Sequence, residues 1–275
     1  MSLIVHLSDT HFGTEQAAVV IAAQRAIAQL RPDVVVLTGD ITQRAHRGQF
    51  DAAKQFLNTL AVPSRLIIPG NHDIPLINLP VRLLAPYAGY RRVFGAPESL
   101  LCKQDVGIVG FDTTSRWRHT DGFLDGKHLT NKIAQARMQL ASDAIVIACV
   151  HQPLHTLWAE DHTEVLDHAT TTAACFAIAR VDIVLSGHVH VPLATTTQEI
   201  FPTLTHHFIL AGAGTALSHR TRRGVPNSFN AIHVNPDPTP TIALTRYDFD
   251  GASGEFIARP VVRFTKGTDG WSKDG

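Results

Sequence analysis

Asp9 and His11 stand two residues apart, as do His188 and His190. Asp40 follows Gly39, the trio Asn71-His72-Asp73 follows Gly70, and His151 follows the apolar run 145–150. Imidazole, carboxylate and amide oxygen together suit Mn, Fe, Zn or Co better than calcium or a soft metal. Asp9, His11, Asp40, Asn71, His151, His188 and His190 are too many donors for one tetrahedral zinc site. They suit two divalent cations sharing a carboxylate. On extended backbone alternate side chains share a face, so each Asp-x-His or His-x-His pair can aim both donors one way. The members of a pair can also serve different metals. Gly70 is expected to let the chain turn sharply into the polar trio. Paired cations activate water and neutralise phosphoryl oxygens, so the chemistry to expect is hydrolysis of a phosphate ester.

Taken singly, each signal has an ordinary reading. Gly-Asp after a strand is commonly a turn, and a lone histidine is commonly a core residue. Placement decides between the readings. The runs 3–7, 34–38, 65–68, 144–150 and 182–186 read as strands, and each opens onto one of the donor groups. Ligands of open α/β sheets gather at the carboxyl ends of strands, so donors far apart in sequence are expected in one crevice. Residues 15–30 and 49–60 carry apolar side chains at helical spacing, giving a β-α-β-α-β order and a parallel sheet. A Pro-rich stretch, 75–98, reads as loop and short helix. A strand at 106–111 and helices at 131–140 and 170–180 follow. Beyond 190 the chain reads as β-rich without helical periodicity, with strands at 208–211, 231–234, 242–247 and 261–264. No repeat or linker interrupts it. The expectation is a single domain over 1–265, with 266–275 as a frayed polar tail.

Composition sets the outer limits. The chain has 275 residues, 44% of them hydrophobic, which suits one large α/β domain or two small ones. Lys and Arg number 24 and so do Asp and Glu, leaving no broad basic field for nucleic acid or an anionic membrane. Local clusters at Arg44/Arg47, Arg91/Arg92, Arg116/Arg118 and Arg220/Arg222/Arg223 are either solvated faces or a mouth for an anionic substrate. Cys102, Cys149 and Cys175 are too scattered for a disulfide framework. No signal peptide or membrane span is apparent, so the expected location is the cytoplasm. Among the 16 histidines, His6 is expected to pack in the first strand, and His119 and His155 are candidates to face a substrate.

In chain order, Asp9/His11, Gly39-Asp40, Gly70-Asn71-His72-Asp73, His151 and Gly187-His188-Val189-His190 resemble the motif set of the calcineurin-like metallophosphoesterase superfamily. All five motifs are intact. The resemblance runs from about residue 3 to 190, and the β-rich remainder suits the second sheet of that superfamily. Within it, Val5-His6-Leu7-Ser8-Asp9-Thr10-His11-Phe12 and Asn227-Ser228-Phe229-Asn230 look most like class III cyclic-nucleotide phosphodiesterases and related glycerophosphodiesterases. One departure is Gln152, where many members carry a second His before the proline. Gly39-Asp40 lacks the Asp-Arg-Gly extension of the phosphoprotein phosphatases, which argues against that branch.

The resemblance implies an α/β fold, a four-layer α/β/β/α sandwich of two mixed sheets flanked by helices. It implies that Asp9, His11, Asp40 and His190 hold one metal, and that Asp40, Asn71, His151 and His188 hold the other. The expected cofactors are two divalent ions per chain (Mn, Fe, Zn or Co, with Mn or Fe/Mn favoured). A metal-bridging hydroxide would be the nucleophile, His72 the acid and Asp73 the group orienting its ring. The expected partner is a small-molecule phosphodiester, cyclic AMP first, with no membrane, no nucleic acid, and self-association open. Another phosphodiesterase or phosphatase of the superfamily, such as a glycerophosphodiesterase, is the alternative. A nucleotide pyrophosphatase or a nuclease is a further one. A non-catalytic scaffold is the remote reading, and it should have lost ligands or the acid histidine.

Overall fold

The computed structural model describes every residue except 104, 119 and 237. Its first part alternates strand and helix: β1 (Ser2–Leu7), α1 (Ala17–Leu30), β2 (Val34–Thr38), α2 (Arg47–Thr59) and β3 (Ser64–Ile68). The Pro-rich stretch holds α3 (Leu79–Leu84) and α4 (Ala88–Phe94). Next come β4 (Ser99–Cys102), β5 (Val106–Gly110), α5 (Gly126–Arg137), β6 (Ile145–Cys149), α6 (Ala169–Ile178) and β7 (Ile183–Ser186). The remainder is β8 (Leu193–Thr196), the short α7 (Thr197–Ile200), β9 (Ile209–Gly212) and β10 (Ser228–Asn235). It ends with β11 (Thr241–Asp250), β12 (Glu255–Ala258), β13 (Val262–Gly267) and β14 (Gly270–Lys273).

Two sheets result. One runs β14-β13-β11-β10-β1-β2-β3, with β12 against β11, and the other runs β4-β5-β6-β7-β9-β8. Both are mixed: β1, β2 and β3 are parallel to one another while β10 joins β1 antiparallel. In the second sheet β5, β6, β7 and β9 are parallel and the edge strands β4 and β8 antiparallel.

Alternation along each strand builds the layers. In β1, Ile4 belongs to the apolar cluster between the sheets, with Val36, Ile68, Ile147 and Leu185. Its neighbour Val5 belongs to the cluster under α1 and α2, with Ala23, Ile27, Phe50 and Phe56. On the far side Val146 and Val184 pack with Leu129, Ile133 and Phe176 of α5 and α6. Helices, sheet, sheet and helices therefore stack as four layers. Strands covered on both faces read as unbroken apolar runs, which is why they are legible in the sequence.

Some expectations fail at the edges. The tail is not frayed: β14 pairs antiparallel with β13, and Trp271 is buried. Its indole Nε1 donates to Asp182 Oδ1 at 3.0 Å, and Lys266 Nζ reaches the same oxygen at 2.6 Å. One aromatic anchor outweighs a polar, glycine-rich composition. Helix α5 starts earlier than residue 131, because the Asp125 side chain accepts from His128 N at 2.8 Å and caps it. The edge strands β4, β8 and β12 and the short helix α7 leave no pattern in the sequence, since pairing rather than local pattern makes them. Among the described residues, no helix is long and apolar enough to cross a membrane.

Candidate metal centre

The carboxyl ends of β1, β2, β3, β6 and β7 bring all seven candidate donors to one place, and all seven are buried. The backbone does this in an unexpected way. Asp9 (φ 52°), His11 (φ 42°), Asp40 (φ 47°), His188 (φ 72°) and His190 (φ 60°) are left-handed, not extended. Asp9/His11 and His188/His190 therefore do not aim their side chains by the alternation of extended backbone. Such residues cost about 1–3 kcal/mol each and persist where the surroundings over-determine them. Here Asp9 N donates to Gly39 O at 3.1 Å, His11 N to Asp40 O at 2.9 Å, and His188 N to Asp9 Oδ2 at 2.9 Å.

Gly70 also has a different role from the expected one. Its backbone is extended (φ −111°, ψ 179°), so no turn requires glycine there. Space does: a Cβ would stand 2.2 Å from Asp40 N, 2.3 Å from Asp40 Oδ1 and 2.8 Å from His151 Nε2.

The donors fall into two groups that share Asp40: Asp9, His11, Asp40 and His190, and Asp40, His151 and His188. Asn71 adjoins the second, its Oδ1 lying 3.1 Å from His151 Nε2. His11 Nε2 is 3.1 Å from His190 Nε2, and His188 Nδ1 is 3.3 Å from His151 Nε2. Asp40 Oδ1 is 3.3 Å from His151 Nε2, and Asp40 Oδ2 is 3.7 Å from His11 Nε2. A shell of donors about 2.1 Å from a cation has edges of about 3.0 Å if octahedral and about 3.4 Å if tetrahedral. The observed spacings are edges of that size.

Hydrogen bonds aim the rings. His151 Nδ1 donates to Thr38 O at 2.7 Å and His190 Nδ1 to Arg220 O at 2.5 Å, so each turns Nε2 inward. Asp9 Oδ1 is buried and 3.1 Å from His190 Nε2, yet no aligned hydrogen bond satisfies it among the described residues. Burial pushes His11 and His188 down to about 3, leaving both neutral and able to bind a cation. Burial also opposes ionisation of Asp40, but His151 and His72 hold its carboxyl well below the usual range. His151 is the counterpart: burial disfavours its charge, but Asp40 and then Asp9 lift it to about 9. A proton held by buried carboxylates is what a divalent cation displaces. An orphaned carboxylate oxygen, neutral imidazoles and coordination-sized spacings all fit metal ions.

His72 stands at the rim, its side chain 12% exposed. Its Nδ1 lies 2.9 Å from Gln43 O, while Nε2 lies 4.0 Å from Asp40 Oδ2 and 3.3 Å from Arg220 Nη1. The Gln43 carbonyl therefore orients the ring, and the role expected of Asp73 is corrected. Asp73 accepts instead from Ile41 N, Thr42 N and Oγ1, and Gly70 N at 2.8–3.1 Å, which ties the Asp40 turn to the end of β3. Burial, followed by the charge of Asp40, pushes its carboxyl up to about 7 against the pull of those amides.

A polar mouth of about 500 Å³ opens over the donors, walled by Gln43, Arg44, Thr120, Asp121, Thr163, Glu164, Arg220 and Arg222. Three of the basic residues singled out in the sequence thus face it. Arg92 pairs with Asp51 instead, Arg118 with Asp167, and Arg223 with Asp161. Gln43 and Glu164 had no signal in the sequence, because neither belongs to a motif or ends a strand. Glu164 Oε2 comes within 3.9 Å of His188 Nε2. His155 packs against His162, with ring centroids 5.8 Å apart, and is not one of the described residues that wall the mouth. His119 lies outside the described residues. Gln152 turns away from the donors, accepting from Thr113 Oγ1 at 2.6 Å and donating to Thr120 O at 3.0 Å. Asn227 braces the loop before β10, donating to Thr215 O at 3.2 Å and Ser218 O at 2.7 Å.

Comparisons with known proteins agree with this fold. The glycerophosphodiester phosphodiesterase GpdQ of Enterobacter lignolyticus (strain SCF1) is 38% identical over 82 residues, which is 26% of this chain and 29% of that enzyme. The chain thus matches under a third of that relative's length. A dimetal phosphatase from Danio rerio superposes with a TM-score of 0.62 at 13% identity, covering 94% of this chain and 98% of its own. Purple acid phosphatase PPD1 from yellow lupin (Lupinus luteus) also gives 0.62, at 12% identity, over 96% of this chain and 53% of that one. Vacuolar Protein Sorting 29 of Cryptosporidium parvum gives 0.52 at 13% identity, over 96% and 98%. At such identities the likeness is one of fold. Residues 2–192 match the family described as calcineurin-like phosphoesterase, and that span contains every one of the seven donors. This chain belongs to the calcineurin-like phosphoesterase family.

Proposed function

We propose that the protein is a phosphodiesterase that works with two divalent cations, held by Asp9, His11, Asp40 and His190 and by Asp40, Asn71, His151 and His188. The observation that carries this reading is the pair of buried donor groups sharing Asp40. Bound there, the cations would supply Lewis-acid stabilisation of phosphoryl charge and the acidity that makes water a nucleophile. The chain's residues do the rest. Thr38 O and Arg220 O hold the imidazoles of His151 and His190 in register. Gln43 O fixes His72 so that Nε2 faces the mouth, where it can hand a proton to the leaving oxygen.

Two substrates compete. The resemblance of the N-terminal motif points to a cyclic nucleotide. A small polar alcohol, as in a glycerophosphodiester, is favoured by the mouth itself. Apart from His72, His188 and His190, no ring system lines it among the described residues, and a purine would want an apolar or aromatic wall. The GpdQ match favours the same substrate.

A panel decides: Mn²⁺-loaded protein with cyclic AMP, a glycerophosphodiester, bis-p-nitrophenyl phosphate and a phosphomonoester. Diesters should turn over faster than the monoester, the glycerophosphodiester fastest. No turnover of any diester by protein carrying both metals would end this reading. His72→Ala should lower turnover by about 10²–10⁴-fold with metal content unchanged.

A further inference from the structure

The loop between β9 and β10 carries three arginines close together, Arg220, Arg222 and Arg223. Two are already neutralised. Arg222 Nη1 meets both carboxylate oxygens of Glu164 at 2.8 and 2.9 Å, and Arg223 Nη2 meets Asp161 Oδ1 at 2.9 Å. Arg220 differs. Its Nη1 donates to Gln43 Oε1, an uncharged amide, at 2.8 Å and lies 3.3 Å from His72 Nε2. Among the described residues no carboxylate lies within 4.0 Å of its guanidinium. The side chain is half-buried on the wall of the polar mouth.

The backbone of the same residue is braced to the donors. Arg220 O accepts from His190 Nδ1 at 2.5 Å and from Thr215 Oγ1 at 3.2 Å, and Arg220 N donates to Ser218 Oγ at 3.1 Å. Ser218 Oγ meets Thr14 Oγ1 at 2.8 Å, and Thr14 Oγ1 donates to His11 O at 2.9 Å. One short segment thus orients a donor histidine through its carbonyl and delivers a cation to the mouth through its side chain. A cation without a carboxylate partner among the described residues, beside donors for two further cations, is unfavourable unless the ligand brings negative charge. The planar fork of a guanidinium matches the paired oxygens of a phosphoryl group.

We propose that Arg220 is the phosphate-gripping residue of this centre. Its Nη1 exchanges the contact with His72 Nε2 for a non-bridging oxygen of a phosphodiester, and His72 Nε2 then faces the leaving oxygen. This inference rests on the phosphoesterase reading above.

The test uses the full chain loaded with Mn²⁺ and inorganic phosphate as the probe, read by calorimetry. Arg220→Met should weaken phosphate binding about 10- to 100-fold. Mn²⁺ stoichiometry should not change, because a backbone carbonyl, not the side chain, holds His190. Arg220→Lys should fall between, keeping the charge and losing the fork. Equal phosphate affinity in the wild type and Arg220→Met would overturn the proposal. Loss of Mn²⁺ from Arg220→Met would overturn it too, since the side chain would then be structural. Arg220-dependent phosphate binding in a protein that cleaves no diester would support the proposal and remove the hydrolase reading. Diester cleavage with Arg220-independent phosphate binding would do the reverse.

Discussion

Replacing Gly70 with alanine tests the reading that space, not conformation, demands glycine at the end of β3. The added carbon would lie 2.2 Å from Asp40 N, 2.3 Å from Asp40 Oδ1 and 2.8 Å from His151 Nε2. Ordinary contact is about 3.5 Å, so something must move by about 1 Å. The obstacle is the backbone and carboxylate of Asp40, the residue common to both donor groups. Metal sites tolerate about 0.2 Å in donor position, several-fold less than that shift. We expect Mn²⁺ affinity to fall by at least about 10–100-fold, the range seen when supports of metal ligands are removed. Overpacking should cost about 1–3 kcal/mol in the metal-free protein. Gly48→Ala is the control: it lies in α2, and its Cβ would meet nothing within 4 Å. The same chemical change there should be neutral or stabilising by up to about 1 kcal/mol. Calorimetric Mn²⁺ titration and metal-free thermal melts read both effects. Two Mn²⁺ bound at wild-type affinity, with an unchanged melt, would refute the argument for Gly70.

Three other outcomes follow from the same structure. Asp40→Ala should abolish or scramble both metal sites, seen as loss of Mn²⁺ by elemental analysis, and a fully loaded, active variant would refute the shared carboxylate. Trp271→Ala should lower stability by about 3–5 kcal/mol, measured by urea denaturation, because the side chain is 1% exposed and bonds Asp182; a melt like the wild type would restore the frayed tail. His6 is wholly buried, and burial pushes it down to about 3, with Asp9 opposing. A base whose folded pKa is lowered is stable while neutral, so its contribution is complete above about 6.5 and is lost as pH falls from there towards 3. From pH 6.5 to 4.5 this amounts to about 2–3 kcal/mol. Metal-free His6→Gln should therefore show a shallower loss of stability over that range, and an identical slope would refute the linkage.

Much of this protein is legible in its sequence, for a definite reason. Each donor group sits directly after a short apolar run, and both parts of that signal are local. Val34 to Thr38 is buried throughout and Asp40 comes just beyond it; Ile145 to Cys149 is buried throughout and His151 follows. The carboxyl-end rule then places the donors together without any knowledge of pairing. What sequence alone determines here is which residues converge and the class of chemistry they suit. Tertiary contacts decide how they do it. That Asp9, His11, Asp40, His188 and His190 are left-handed depends on hydrogen bonds between segments from different strands. Asp73 serves the Asp40 turn, and not the ring of His72, because Ile41 and Thr42 reach it across 31 or 32 residues. Arg222 and Arg223 are tied down while Arg220 meets Gln43, since Glu164 and Asp161 approach from a loop some 60 residues away. Trp271 anchors a strand because Asp182 waits 89 residues earlier. Local pattern records what a residue can do; only the fold brings the partner that selects one role from the several its chemistry allows.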